Sequence, residues 1–515
     1  MSRHVSRFEA SLLTRRQVLV AGAGGALALV LAGCAAGTQP AGSGSTLQST
    51  WADPSGSGVL GVEAGARLLD RTDLAPRART TAVLGTIAHL TDAHVLDAES
   101  PARVTFLERL GPPFTSTFRP QEALTAQVLD GAVRAIDALE PDAVIQGGDV
   151  IDNAQANELE RALAALRGGA VDPNRGAPGY FGVQWEGDTD PFYYRPDIDA
   201  PRHPGMLALA TTRFRAHGLR ARCYPVLGDH DLLVQGVLAP NPLTTGIAVG
   251  DRAVWQLPQG LSAPAAAARL TGAAPDGLAG PGQIEPLIGE LLSAPSVRVP
   301  ADSRRRELDS AEVLQRLREH AGLPAGGALL DYYIDVGDRV RVIVLDLVRR
   351  EGGSGGIVHA GQASWLAEQL GAAGDRWVLV FSHQPLTSTA GAQALLELLD
   401  SHPRVLAAIW GHTHRNRIVP RPSAGGGYWL ISTASLIDYP QQARAVRVLE
   451  TAGGGAALQT WMIDHVPGGV HGLGDISREL AYLDAQGGRP QGFAGGALDR
   501  NVTLYRRGPA STVSQ

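Results

Sequence analysis

The 515-residue sequence contains no lysine, so all 45 of its basic side chains are arginine. We read this as a bias of coding composition and draw no function from it. Cysteine is nearly absent too, with Cys34 and Cys223 alone. Cys34 sits near the N-terminus and Cys223 inside an apolar run, which excludes an internal disulfide in a mature chain and leaves no thiolate for a metal. Positive charge is not in excess: the formal net charge is -6, which gives no electrostatic ground for nucleic acid as a partner. The uncharged run from Val18 to Gly33 is short at 16 residues, since a membrane-spanning helix needs roughly 20. What is present is globular in composition, 44% apolar and 19% charged, with Gly (63) and Pro (33) high enough to forecast many loops. The length admits roughly two to four domains, or one large domain with insertions.

Arg15 and Arg16 stand before that run and small residues close it, the order of an export signal. Thr14-Arg15-Arg16-Gln17-Val18-Leu19 resembles a twin-arginine signal, the route for proteins exported already folded. Leu31-Ala32-Gly33-Cys34 resembles a bacterial lipobox, which implies cleavage at Cys34 and its lipidation. The alternative is an ordinary secretory signal with an incidental cysteine. We therefore expect a signal over residues 1–34 and a flexible tether and lead-in over 35–80, with the first 50 or so outside the fold. The expected location is the cell envelope, extracytoplasmic and lipid-anchored to the membrane.

Downstream, apolar runs at Ala82–Leu90, Asp142–Gly148, Arg222–Gly228, Val340–Asp346, Trp377–Ser382, Val405–Gly411 and Tyr428–Thr433 read as buried strands. Leu124, Val128, Leu129, Ala132, Ile136 and Leu139 fall at helical spacing before Pro141, and a second helix starts at Gln362. Strands alternating with helices imply an α/β fold. Ala443–Asp464 carries further strand candidates. Two long insertions, about 168–205 and 234–330, break the alternation, and the last thirty or so residues read as weakly ordered. The domain is expected over 81–470, with 471–515 as a C-terminal extension.

Chemistry gathers where the apolar runs end. Asp92 and His94 follow the first; Asp149, Asp152 and Asn153 the second; Asp229, His230 and Asp231 the third; then His383, and then His412 and His414. Open α/β sheets place their sites at the C-terminal ends of strands. A single acid there is a turn former, but five of the 14 histidines together with three acids in matching places point to metal. Ligands two residues apart share one side of an extended segment. Mixed oxygen and nitrogen donors suit Zn, Mn, Fe or Co rather than Ca. Seven candidates exceed one tetrahedral ion, so two ions bridged by a carboxylate is the economical reading.

The series D-x-H, G-D-x-x-D-N, G-D-H-D, H and G-H-x-H, from Asp92 to His414, resembles the signature of the calcineurin-like metallophosphoesterase superfamily over about 320 residues. The resemblance implies a four-layer αββα sandwich with large loop insertions and a dinuclear centre. It implies Asp92, His94, Asp149 and His414 on one ion and Asp149, Asp229, His383 and His412 on the other. It makes His230 and Asp231 the catalytic pair: His230 on the phosphate or leaving oxygen, Asp231 orienting neighbours from behind, as Asp152 and Asn153 also would. The implied reaction is hydrolysis of a phosphate monoester or diester by a metal-bridging hydroxide, outside the cytoplasm, on a small phosphorylated or envelope substrate. A nucleotidase or cyclic-nucleotide phosphodiesterase is the rival within enzymes. An extracytoplasmic binding lipoprotein keeping a structural metal site is the rival outside them.

Two departures narrow the resemblance. Relatives mostly have Asn where this chain has Asp229, which lowers the net positive charge of a loaded site and should favour monoanionic diesters over dianionic monoesters. Purple acid phosphatases have a tyrosine where this chain has Asp152, so no tyrosinate-to-iron bond is expected. Trp185, Phe192, Tyr193 and Tyr194 are candidates to stack on a substrate or to shield a loop. Arg304, Arg305 and Arg306 read as a solvated charge run. Thr433–Arg444 reads as a structural strand exit, with closure of one side of the pocket as the alternative.

Overall fold

The computed structural model describes residues 44–110, 116–173, 178–188, 190–258, 294–469, 472–487 and 493–509. All belong to one of the chain's two compact units, residues 40–515. The expected signal with Cys34 lies outside the described residues, as does 259–293 within the second insertion. Among the described residues no helix is long and apolar enough to cross a membrane.

The main strands in chain order are β1 (Leu69–Arg71), β2 (Thr80–Leu90), β3 (Ala143–Gln146), β4 (Cys223–Pro225), β5 (Tyr332–Val336), β6 (Val340–Leu345) and β7 (Trp377–Ser382). Then follow β8 (Val405–Trp410), β9 (Arg417–Arg421), β10 (Tyr428–Ser432), β11 (Gln442–Thr451), β12 (Gly455–Asp464) and β13 (Val502–Arg506). The longer helices are α1 (Thr125–Asp137), α2 (Ala156–Arg167), α3 (Ser310–Ala321), α4 (Gln362–Gly371), α5 (Gln393–Ser401) and α6 (Leu473–Gly487). One sheet runs β1-β13-β12-β11-β2-β3-β4 and the other β5-β6-β7-β8-β10-β9. Neighbours β2, β3 and β4 are parallel, as are β6, β7, β8 and β10.

Side-chain alternation decides how these sheets stack. In β7, Trp377, Leu379 and Phe381 enter the core shared with the other sheet, while Val378 and Val380 join Leu366 and Leu370 of α4 and Leu395 and Leu399 of α5. β6 and β10 divide in the same way, as period two demands. Fully burying each such side chain is worth roughly 1.5–3 kcal/mol, so a register slip would cost far more than any strand propensity. On the other side, Leu129, Val133 and Ile136 of α1 and Leu159 and Leu166 of α2 cover the seven-stranded sheet. The result is helices, sheet, sheet, helices: the four-layer α/β sandwich with loop insertions.

The α1 helix begins one 3-10 turn late (Glu122–Leu124) and ends at Asp137, short of Pro141. Glu140 takes a left-handed φ of 51°, outside the right-handed helical region that a residue before a proline avoids.

Three expectations are corrected. The last thirty or so residues are not weakly ordered throughout: β13 is wholly buried and pairs with β12 and β1 inside the main sheet. The tether also ends sooner than residue 80, since Ser49–Ala52 and Gly61–Ala64 form a hairpin and β1 joins the sheet. The domain therefore spans more than 81–470. Finally, the arginine run is solvated at Arg304 and Arg306 but not at Arg305. Arg305 is fully buried on Asp97 at 2.8 Å, Arg304 pairs with Asp302 and Arg306 with Glu312.

The first insertion is knitted onto the loop before α1. Gln184 Nε2 donates to the carbonyls of Pro120 and Tyr194, and Tyr193 is buried against Phe118 with its hydroxyl donating to Trp255 O. Tyr194 donates to Pro201 O, and only Trp185 and Phe192 of the four aromatics stay exposed. The second insertion carries a short helix (Pro242–Ala248), a hairpin of Arg252–Val254 with Ser296–Arg298, and α3.

Candidate metal centre

The parallel strands β2, β3 and β4 in one sheet and β7 and β8 in the other end in the same region, and their exits carry the site. Past β2 and β3 the chain stays zipped: Asp92 N donates to Gly148 O, His94 N to Asp149 O and Val95 N to Val150 O. Five of the seven candidate ligands hold left-handed backbone: Asp92, His94, Asp149, His412 and His414, with φ of 52°, 42°, 49°, 60° and 54°. Strain of this kind costs on the order of 1–3 kcal/mol per residue and persists where surrounding structure enforces it.

All seven candidates come together, in two groups. Asp149, Asp229, His383 and His412 form one; Asp92, His94 and His414 form the other. Asp149 Oδ2 lies 3.0 Å from His383 Nε2 and 3.8 Å from His94 Nε2, so this one carboxylate faces both groups. Asp229 Oδ1 is 3.2 Å from both His383 Nε2 and His412 Nδ1, and Asp92 Oδ1 is 3.3 Å from His414 Nε2.

The donor set fits cations. His94, His383 and His414 each engage Nδ1 behind the site, with Asp152 Oδ1 at 2.9 Å, Gly147 O at 2.8 Å and Asp438 Oδ2 at 2.5 Å. These acceptors assign the proton to Nδ1 and leave an Nε2 lone pair facing inward. His94 Nε2 and His414 Nε2 then stand only 3.3 Å apart, a separation that a shared proton or a cation between them satisfies. His383 Nε2 and Asp229 Oδ2 are buried with no hydrogen-bond partner, which costs about 1–3 kcal/mol each unless something else binds them.

Burial and neighbouring charge compete throughout the site. Burial works against charge on Asp229, yet the His412 and His383 imidazoles hold its carboxyl well below the usual range. Burial likewise opposes charge on His230, but the Asp149, Asp152 and Asp229 carboxylates prevail and hold it up to about 10. Burial and the neighbouring Asp152 push Glu158 up to about 7.

His230 stands beside the ligands. Its Nδ1 lies 3.0 Å from Asp152 O and 3.1 Å from Asp152 Oδ1, and its ring packs edge-on against His94 at 4.5 Å. Asp152 Oδ1 thus touches the Nδ1 of both histidines. Asn153 donates to Asp152 Oδ2 and to Glu158. Asp231 touches no candidate ligand side chain. Its carboxylate accepts backbone N–H groups of Gly228, Asp149, Val150 and Ile151, so it positions the Asp149 loop and does not face reacting atoms.

Sequence reading missed four contributors. Thr91 donates to Asp92 Oδ2 at 2.6 Å, Gln384 Nε2 to Asp229 Oδ1 at 3.0 Å, Glu158 anchors the Asp152 loop, and Asp438 backs His414. Thr91 and Gln384 adjoin motif residues, which was a usable signal. Glu158 and Asp438 lie outside the strand-end pattern; Asp438 sits in the Thr433–Arg444 exit, which touches the site through this ligand.

No family model matches the sequence. No curated protein matches it either. Among solved structures, a dimetal phosphatase from Danio rerio is similar at 15% identity and TM-score 0.35, covering 75% of this chain and 100% of that one. PhoD is similar at 12% and 0.29, covering 80% and 70%. The Thermus thermophilus sulfate thiohydrolase SoxB is similar at 11% and 0.30, covering 79% of this chain and 61% of that one. At these values the site stands on its own geometry. Two facing sheets thus bring six His and Asp side chains from their parallel strand ends around a seventh, the shared Asp149 carboxylate, in an α/β fold.

Proposed function

We propose that the chain is a phosphoric ester hydrolase that uses two divalent transition-metal cations, with Mn, Fe, Zn and Co as the candidates. The observation that carries this reading is Asp149 Oδ2 facing two His/Asp groups at once. Asp92, His94, Asp149 and His414 would hold one cation; Asp149, Asp229, His383 and His412 would hold the other. Such a pair, when bound, supplies Lewis acidity that activates water and offsets charge on a phosphoryl group. The chain's own residues do the rest. Asp152 fixes the ring of His230 through Nδ1, which leaves Nε2 to donate to a phosphoryl oxygen or to protonate the leaving oxygen. A general acid so placed contributes roughly 10²–10⁴-fold.

Against two dications, the three carboxylates leave a single positive charge, where Asn at 229 would leave two. This supports a preference for monoanionic diesters over dianionic monoesters. The pairing of Arg304, Arg305 and Arg306 with acids gives no support to a polyphosphate substrate. We further infer export and lipid anchoring from the Arg15-Arg16 and Cys34 motifs, and hence a small phosphorylated or envelope substrate. Replacing Cys34 by Ala should release the chain from the membrane fraction, and retention there would count against the anchor.

The test is the full chain stripped by chelator, re-supplied with each metal, and assayed on a chromogenic phosphomonoester beside its diester. Metal-restored turnover is expected. His230→Ala should lower kcat by about 10²–10⁴-fold with both ions still bound. Asp229→Asn should shift the ratio towards the monoester. No turnover with any metal, despite two bound ions, would sink the hydrolase reading.

A further inference from the structure

Asp438 touches a candidate ligand, His414. Its Oδ2 accepts from His414 Nδ1 at 2.5 Å, and its two oxygens accept from Arg119, Nε at 2.7 Å and Nη2 at 3.1 Å. The side chains of Asp438 and Arg119 are 3% and 4% exposed, so these two charges are each other's main compensation. Arg119 is itself held in place. Its Nη1 donates to Ser116 O, its backbone N–H donates to Glu122, and Glu122 is gripped by both terminal nitrogens of Arg103. One residue on, the Pro120 carbonyl is taken by Gln184 of the first insertion.

We propose that Asp438 and Arg119 are a positioning pair for the cation held by Asp92, His94 and His414, setting its affinity separately from that of the cation at Asp229, His383 and His412. The proposal rests on the dinuclear reading above. A carboxylate on the outer nitrogen of a ligating histidine fixes its tautomer and ring direction and raises its basicity. A bare buried carboxylate at this distance would compete for the imidazole proton. Arg119 draws off that charge through two hydrogen bonds, so the proton stays on Nδ1 and the Nε2 lone pair stays turned inward. The other group is backed differently: His383 donates from Nδ1 to a neutral acceptor, Gly147 O, at 2.8 Å. Disturbing Asp438 therefore acts on one cation.

Calorimetric titration of the metal-free full chain with Mn²⁺ tests this, alongside thermal melts of the metal-free forms. The wild type should take up two ions. Asp438→Asn should weaken one of them by about 10–100-fold, leave the other unchanged, and lower the melting temperature by stranding a buried guanidinium. The double variant Arg119→Met/Asp438→Asn should regain the melting temperature and not the affinity. The idea is overturned if Asp438→Asn binds both ions as the wild type does, or if the double variant regains affinity together with stability, the mark of a purely structural pair. A wild type that takes up no ion would overturn this inference and the dinuclear reading together.

Discussion

At the scale of single residues, what distinguishes this site is how little room the chain leaves around its ligands. A Cβ on Gly228 would lie 2.1 Å from both the backbone N and the Oδ1 of Asp149, and one on Gly148 would lie 2.4 Å from His383 Nδ1. These glycines let two strand exits approach until one carboxylate reaches both groups, and the left-handed ligands beside them hold the strain that the approach creates. Gly228→Ala must push the Asp149 loop away, since neither backbone can swing aside while Asp231 clamps four of their N–H groups. We expect that variant to fold with a loss of about 1–3 kcal/mol and to lose binding of both ions, read by denaturation and by metal titration. Retention of two ions at wild-type affinity would show that the close approach is incidental. The motif glycines were legible in the sequence; their reason was not, because it lies in contacts between distant strand exits, Gly228 with Asp149 and Gly148 with His383.

At the scale of elements, what was legible depended on burial of both faces. β3, β7, β8 and the second half of β2 are runs covered on each side, and such runs announce themselves. Their exits carry all the ligands but Asp229, so most of the site could be read before the fold. β13 could not, because Val502–Arg506 is short and ends in an arginine that reads as exposed. In the structure that arginine is buried and donates to the carbonyls of Val405, Gly425 and Gly427. β11 hides the same device. Arg444 is fully buried and makes no carboxylate pair, donating instead to the hydroxyls of Thr433 and Thr460, to Asn416 Oδ1 and to the carbonyls of Ser432 and Asp499. Burial, helped by the nearby Arg500 charge and opposed by the Asp499 carboxylate, pulls its guanidinium down to about 9. Arg444→Ala would open a cavity and orphan several acceptors at once, so we expect a loss of at least ~3 kcal/mol in urea unfolding. Asn416 lies two residues past His414, so metal uptake should weaken as well. A loss within about 0.5 kcal/mol, the range of an ordinary surface change, would mean the guanidinium is dispensable.

At the scale of the whole molecule, the two sheets depend on edges far apart in the chain, and one of these edges carries a pH-sensitive weakness outside the site. Asp331 lies just before β5, the outer strand of the six-stranded sheet, and accepts from Asp346 N–H and from Gln362 Nε2. Burial pushes its carboxyl up to about 6, and the neighbouring Asp346 adds to this, although its hydrogen bonds and Arg350 work the other way. A carboxyl whose folded pKa is raised is stabilising when protonated, so its contribution is fully present below the unfolded value near 4 and is lost as pH climbs through about 6. The rise corresponds to about 2–3 kcal/mol between those limits. Asp331→Asn keeps an acceptor oxygen for the Asp346 N–H and cannot ionise. Urea unfolding of both proteins at pH 4, 5, 6 and 7, without metal, should show the variant gaining on the wild type by about that amount as pH rises, since every other titrating group is common to the two and cancels. Parallel stability curves across this range would mean that Asp331 titrates as an ordinary carboxyl and that the β5 edge is no weaker at neutral pH than at acid pH.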